Sequence, residues 1–183
     1  MSEWILTIIG PDRPGLVEAV AERVVARGGN WMASRMAHLG GKFAGIAHVA
    51  IPEAEVEHLR QELAALEAED LLVHVESATA AMSGSAEGAA QTVPAQVLLQ
   101  VVGSDRPGIV REISGVLAAT GINLESLSTD YMTAPMTGGP LFRAEVQFAL
   151  PAGLSLDQLR QAVEAVAGDL MVEFSPVAPL QTE

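Results

Sequence analysis

An internal repeat limits the possible folds of this chain more than any other feature of its sequence. The segment Gly10–Val17 returns 93 residues later as Gly103–Val110, and the two octamers differ only at one Pro/Ser and one Leu/Ile position. The same offset places Asn30 on Asn123, and further matches follow in the same order towards the end of each copy. A repeat of this length indicates a duplicated domain, so both halves must adopt the same fold.

Each copy contains the same order of predicted elements. A short apolar run rich in β-branched residues ends at a glycine, and an amphipathic helical pattern follows and stops at another glycine. Two strands, a second helix and a final strand complete the order βαββαβ. This order is typical of the split βαβ, ferredoxin-like fold. The sequence therefore predicts an α+β protein of two tandem ferredoxin-like domains, each a four-stranded antiparallel sheet with two helices on one face.

The predicted domains cover residues 1–78 and 95–183. Between them, residues 79–94 consist almost entirely of small and polar residues with no periodic apolar face, which is the composition of a flexible linker. Each predicted sheet leaves one face without helices, and burial of these faces or of strand edges would explain the tandem. The sequence leaves open whether the halves pair within one chain or two chains assemble as a homodimer.

The composition excludes several classes of function. The chain carries 23 acidic and 10 basic residues, a net charge of −13, and it shows no helix-turn-helix with a basic recognition helix, so direct binding of DNA or RNA is not expected. The absence of cysteine excludes disulfides, thiol nucleophiles and cysteine-based zinc sites. Since neither a signal peptide nor a run of ~20 apolar residues is present, we expect a cytoplasmic protein.

The repeated Asp-Arg-Pro-Gly loop carries the main functional signal. Pro14 and Pro107 suit the first helical position, because their missing N–H has no intrahelical partner there. The unpaired N–H groups of the following helix carry a partial positive charge that favours an anion. Gly15 and Gly108 have no Cβ to block a ligand carboxylate from the backbone. The alternative is a plain turn and helix start, which needs the same residue types.

An asparagine and an arginine accompany each loop. Asn30 and Asn123 offer an amide donor and acceptor, which suits a zwitterion with carboxylate and ammonium groups, although asparagine after glycine is also a common turn residue. Arg13 and Arg106 are expected to pair with the neighbouring aspartate or to stay solvated rather than to contact the ligand. The sequence thus predicts a site for a free amino acid.

These residues resemble a known family. The first copy reads Gly-Pro-Asp-Arg-Pro-Gly-Leu-Val followed by Gly-Gly-Asn, and the second reads Gly-Ile-Asn at the matching place. Both resemble ACT domains, the small-molecule-binding modules attached to many amino-acid enzymes. The resemblance covers nearly the whole chain. The chain has two copies and no catalytic domain, a Gly-Lys-Phe-Ala-Gly stretch in the first hairpin and a longer loop, residues 133–142, in the second. These features resemble those members of the family that repress transcription.

The resemblance implies a ligand, a site and a partner. Glycine or another small amino acid would bind between the strand–helix loop of one module and the second-strand asparagine region of another. The residues implied by position are Asp12, Arg13, Gly15, Leu16, Asn30, Asp105, Arg106, Gly108, Ile109 and Asn123. The implied protein is not an enzyme and needs no cofactor or metal; it represses glycine cleavage genes through a DNA-binding partner protein. Because Trp31 follows one asparagine and Leu124 the other, one site is expected to be altered.

Other functions fit the sequence less well. A generic amino-acid sensor for an enzyme or transporter, or a docking scaffold without a ligand, remains open. Acylphosphatases share the βαββαβ layout with a loop arginine and a nearby asparagine, but their arginine motif differs and no nucleophilic set is evident here. His38, His48, His58 and His74 lack metal-binding spacing. The acidic stretch Glu53–Asp70 is expected to be a solvated face rather than a docking surface.

Overall fold

The structure is a computed structural model that describes residues 1–78, 95–133 and 139–177. The chain divides into two compact units, Met1–Gly88 and Ala89–Glu183. The predicted linker, residues 79–94, lies outside the described residues, as do residues 134–138 of the second hairpin. Within the described ranges, no helix is long and apolar enough to cross a membrane.

The first unit has the predicted order of elements. Its strands are β1 (Ser2–Pro11), β2 (Asn30–Leu39), β3 (Lys42–Ile51) and β4 (Leu72–Ser77), and its helices are α1 (Leu16–Ala26) and α2 (Val56–Ala64). The strands form one antiparallel sheet in the order β2-β3-β1-β4. The amphipathic pattern predicts a helix over roughly Glu53 to Glu67. Short 3₁₀ turns at Glu53–Glu55 and Ala65–Glu69 precede and follow α2, so the α-helix itself is shorter.

The second unit repeats this arrangement. Its strands are β5 (Gln96–Ser104), β6 (Leu124–Thr133), β7 (Pro140–Ala149) and β8 (Met171–Pro176), and its helices are α3 (Ile109–Ala119) and α4 (Leu156–Val166). The sheet order is β6-β7-β5-β8, again antiparallel throughout. The ferredoxin-like fold therefore occurs twice, as predicted.

Alternation along the central strands places the core between sheet and helices. In β1, Leu6 and Ile8 are buried, whereas Thr7 and Ile9 between and after them are exposed. The helices bury one stripe against these residues. In α1 the stripe is Leu16, Val20 and Val24, and in α3 it is Ile109, Ile113 and Leu117. These stripes occupy identical positions of the repeat, so the two cores follow one pattern.

The first helix of each unit starts later than expected. Gly15 has φ +89° and Gly108 has φ +98°, and each helix begins at the residue that follows. The left-handed region is available to glycine at little cost, and these angles match the third residue of a type II turn, whose second position suits proline. The prediction that Pro14 and Pro107 occupy the first helical position was therefore wrong, because Pro-Gly forms a turn before the helix.

Glycine ends these helices as the sequence predicts. At the end of α1, the N–H of Gly28 donates to the carbonyl of Val25, and the N–H of Gly29 donates to that of Val24, each at 2.9 Å. This pair of bonds is the Schellman motif, with Gly28 at φ +68°. Gly121 does the same for α3, at φ +74°. The motif turns the chain directly into the second strand, where each predicted asparagine lies.

Candidate ligand-binding site

The loop after the first strand is fixed by its own hairpin. The N–H of Asp12 donates to the carbonyl of Gly41 at 3.0 Å, and the N–H of Asp105 donates to that of Pro140 at 3.1 Å. The backbone N–H of each aspartate is therefore already used within its unit. Any backbone contribution to an anion must come from residues closer to the helix, and these bonds hold the loop in place for it.

Among the described residues, no side chain caps the first turn of α1 or of α3. The α4 helix shows the contrast, since Ser155 Oγ accepts from the N–H of Gln158 at 3.2 Å and the Gln158 side chain accepts from the N–H of Ser155 at 3.0 Å. A helix start without a cap leaves N–H groups that need another acceptor. In both repeated loops, that acceptor can be water or an anion.

The surroundings of the two turn glycines differ. Apart from its chain neighbours, no atom of the described residues lies within 4 Å of the position that a Cβ on Gly15 would take. At Gly108, the Oε1 of Glu112 lies 3.7 Å from the equivalent position. The residues after them, Leu16 and Ile109, are buried in the core, so only their backbone can face a ligand. The first loop is thus open beside its glycine, whereas the second is lined by a carboxylate.

Arg13 makes loose contacts in the first unit. One guanidinium nitrogen donates to Glu69, to its side chain at 3.3 Å and to its carbonyl at 3.2 Å. The Arg13 side chain is 44% exposed, and its partner is more exposed still. Exposed pairs of this kind contribute little to stability, so Arg13 can exchange Glu69 for another anion at little cost.

Arg106 is held much more firmly in the second unit. Its guanidinium donates to both carboxylate oxygens of Glu112, at 3.0 and 2.7 Å, and to both of Asp169, at 2.7 and 3.1 Å. These bonds hold the pKa of Glu112 and the pKa of Asp169 below their usual values, since hydrogen bonding to a carboxylate favours its charged form. Both loop arginines therefore have partners, but not the neighbouring aspartate that the sequence suggested.

The asparagines lie far from the loops of their own units. Asn30 pairs across the sheet with Ala50, whereas Pro11, at the loop end of β1, pairs with Lys42. Eight residues of extended strand separate these two partners on β3, a distance of roughly 26 Å. Asn123 directly precedes β6 and is likewise at the far end of its sheet. An amino acid only a few ångströms long cannot bridge the loop and the asparagine of one domain.

The structure thus brings some predicted site residues together and separates others. Asp12, Arg13 and Gly15 share one loop, as do their counterparts in the second unit. Both asparagines are exposed, and neither side chain makes a hydrogen bond within the described residues. Their separation from the loops follows from topology, because β1 and β2 run in the same direction and the connecting helix returns the chain to the start of β1. The loop and the asparagine of one unit therefore do not form a single site.

Several residues of the acidic stretch and two of the four histidines have partners within the first unit. Arg27, at the end of α1, binds Glu62 and Glu55, the latter at 3.3 Å, and joins the two helices. His48 contacts Glu3 at 3.0 Å. In residues 1–78, 95–133 and 139–177, no group of three or more His, Cys, Asp or Glu side chains is placed to hold a metal ion.

Comparison with known proteins agrees with this architecture. Residues 3–76 match the family model of the ACT domain. A crystal structure of an unknown protein from Galdieria sulphuraria superposes with a TM-score of 0.78 and 26% identity, covering 97% of this chain and 99% of that one. Residues 3–76 thus match the ACT domain, and the second unit repeats the fold of the first.

A particular group of relatives stands out among these proteins. The chain is 25% identical over 172 residues to the glycine cleavage system transcriptional repressor of Escherichia coli strain K12, covering 93% of this chain and 87% of that protein. The protein of the same name from Shigella flexneri matches equally. A structure provisionally assigned to such a repressor has a TM-score of 0.65 at 21% identity, which supports the fold alone. The predicted resemblance is confirmed.

Proposed function

We propose that this protein is an amino-acid-sensing regulator that represses glycine cleavage genes in the cytoplasm through a DNA-binding partner protein. The observation that carries the proposal is the repeated strand–helix loop, with its uncapped helix start and an arginine, in a chain similar to repressors of that system. A helix start with unpaired N–H groups suits a carboxylate. Glycine is the smallest amino acid that presents one.

The site forms between modules in this proposal. β2 is an edge strand of its sheet, with Asn30 at one end and Leu39, next to the loop, at the other. If two such edges pair in antiparallel fashion, for example between two copies of the chain, the asparagine of one module approaches the loop of the other. The N–H groups after Gly15 would then bind the ligand carboxylate, and the asparagine amide would bind its ammonium group.

The size of the ligand limits its affinity. Glycine has about five non-hydrogen atoms, and the best tiny ligands gain ~1.5 kcal/mol per atom, so its Kd should be no tighter than a few micromolar. With such an affinity, the fraction of protein that binds the ligand changes with the ligand concentration instead of staying saturated. The titration therefore needs protein at roughly 100 µM and amino acid up to several millimolar.

Calorimetric titration with glycine, serine and a wider amino-acid panel tests the ligand. We expect saturable binding that at least one of Asn30→Ala and Asn123→Ala weakens by about tenfold, the loss of one hydrogen bond to a charged group. Gln161→Ala, an exposed amide on α4, is the matched control and should bind as the original chain does. If no amino acid binds, the sensing function is wrong.

Two further measurements test the route to DNA. With a net charge of −13, the isolated protein should give no gel shift with promoter DNA at physiological salt. A sequence-specific shift without a partner would contradict this expectation.

Recovery of a transcription regulator in a pull-down supports repression, whereas recovery of a metabolic enzyme or transporter instead favours a general amino-acid sensor.

A further inference from the structure

The second loop already contains a carboxylate that belongs to the protein. Glu112 lies in the first turn of α3, and its Oε1 comes within 3.7 Å of the Cβ position on Gly108. The same carboxylate receives two hydrogen bonds from Arg106, one to each oxygen. A carboxylate of the protein therefore stands beside the turn glycine, where a ligand carboxylate would approach the N–H groups that follow Gly108.

The first loop lacks this internal carboxylate. The residue at the position of Glu112 is Ala19, also in the first turn of its helix, because the offset of 93 residues runs without a gap through both helices. No other described residue approaches the Cβ position on Gly15 within 4 Å. Among the described residues, Arg13 keeps only its loose contacts with Glu69.

We infer that Glu112 is a built-in occupant of the second loop, so that only the first loop accepts a free amino acid. This inference rests on the proposed sensing function and assigns it to one copy. Glu112 is part of the chain, so its effective concentration at the loop is in the millimolar range or higher, and a free carboxylate must displace it. A free carboxylate would also meet the charge of Asp169, which Arg106 binds from its other side.

The local charge supports the same assignment. In the first loop, Arg13 faces one carboxylate, that of Glu69, whereas in the second loop Arg106 faces two. The guanidinium of Arg106 is therefore paired on two sides before any ligand arrives, and an entering carboxylate would be repelled by Glu112 and Asp169. The octamer motif is nearly identical in both copies, so the difference arises from a residue outside it.

An exchange of the two residues tests the inference. The titration uses glycine and the same amino-acid panel with the original chain, Glu112→Ala and Ala19→Glu. We expect the original chain to bind one amino acid per chain, Glu112→Ala to bind two, and Ala19→Glu to lose at least tenfold in affinity. Two variants are the matched controls, and each should bind one amino acid per chain. Glu164→Ala removes an exposed charge from α4, and Ala26→Glu adds an exposed charge at the far end of α1.

The outcomes separate this inference from the proposed function. Two equal sites in the original chain, a single site unaffected by Ala19→Glu, or an unchanged stoichiometry in Glu112→Ala would overturn the inference and leave amino-acid sensing intact. If neither the original chain nor Glu112→Ala binds any amino acid, both proposals fail. Circular dichroism and thermal unfolding of every variant show whether a loss of binding reflects a loss of fold.

Discussion

The sheet faces turned away from the helices differ between the two units. In the first unit this face carries Ile46, which is 53% exposed, and the small residue Ala44. The second unit has Glu145 and Arg143 at the equivalent positions, and these two form an ion pair. The duplicated chain has kept one pattern of buried residues, whereas these two outward positions have changed from apolar to charged residues.

The loops show the same division between core and surface. Leu16 and Ile109 are both buried at the start of the first helix, but three residues later the first copy has Ala19 and the second has Glu112. A change at a buried position costs several kcal/mol, whereas most surface changes cost less than about 0.5 kcal/mol. Ala19 and Glu112 are half-buried at the edge of the shared core, where the residue type has changed after duplication.

The largest expected effect tests the shared core. Leu6→Ala and Leu99→Ala, at equivalent fully buried positions, should each lower the free energy of unfolding of their own unit by about 2–5 kcal/mol. Hydrogen exchange read by mass spectrometry separates the two units. If the substitution in one unit lowers its free energy of unfolding by less than ~1 kcal/mol, the core of that unit is packed less tightly than the core of the other.

The next effect tests why the turn glycines are needed. Gly15→Ala and Gly108→Ala should each cost about 1–3 kcal/mol of unfolding free energy, because alanine is strained in the left-handed backbone of both positions. No described atom would clash with either added Cβ, so the cost measures the backbone strain alone. Urea unfolding followed by tryptophan fluorescence reports the first unit, since Trp4 and Trp31 are the only tryptophans in the chain. Hydrogen exchange reports the second.

A helical glycine provides the control for this pair of variants. Gly115 lies within α3, and no atom of the described part of the chain comes within 4 Å of its Cβ position apart from its own helix backbone. Gly115→Ala should stabilise the second unit by about 0.5–1 kcal/mol, since alanine loses less backbone freedom on folding. If Gly15→Ala were as harmless as this control, the left-handed turn would be wrong.

A smaller effect distinguishes the two loop arginines. Arg106→Ala should lower the stability of its unit at neutral pH more than Arg13→Ala does in the first unit, because Arg106 binds two carboxylates. The lowered pKa values of Glu112 and Asp169 mean that this stabilisation is complete above their ordinary values, near pH 4, and is lost as the pH falls through the lowered ones.

Unfolding of each variant at several pH values checks this expectation. The difference between Arg106→Ala and the original chain should be constant from about pH 7 to 5 and should shrink below about pH 4. A difference that grows as the pH falls would contradict the sign of the linkage and the ion pairs behind it.

The smallest effect concerns the sheet faces. Ile46→Glu copies the second unit's residue into the first and should change the unfolding free energy of an isolated chain by no more than about 0.5 kcal/mol. Glu145→Ile is the reverse exchange. If Ile46→Glu instead lowers the free energy of unfolding by more than ~2 kcal/mol and changes the sedimentation of the protein, an assembly buries the face that carries Ile46.

Much of the fold follows from local signals in the sequence. The repeat gives the number of domains, strand alternation gives the buried faces, and Gly28 and Gly121 end their helices where the pattern stops. The start of the first helix was misplaced because Pro14 is suited both to a helix and to a type II turn. Only the φ of the glycine after it distinguishes the two.

The candidate site was less predictable because its contacts are non-local. Asp169 lies 63 residues after Arg106, and no local pattern links the two. Glu112 is only six residues from Arg106, but its role depends on the turn at Gly108. The separation of Asn30 from its loop was available from topology, since strands joined by a crossover helix run in parallel and start at the same end of the sheet.

A crystal structure with the amino acid that binds tightest in the panel tests the central claim most directly. We predict electron density for one ligand per chain, with its carboxylate at the N–H groups after Gly15 and its ammonium group at an asparagine of another module. A ligand in the loop of Gly108 with Glu112 still in place, or one bound away from both loops, would contradict the account.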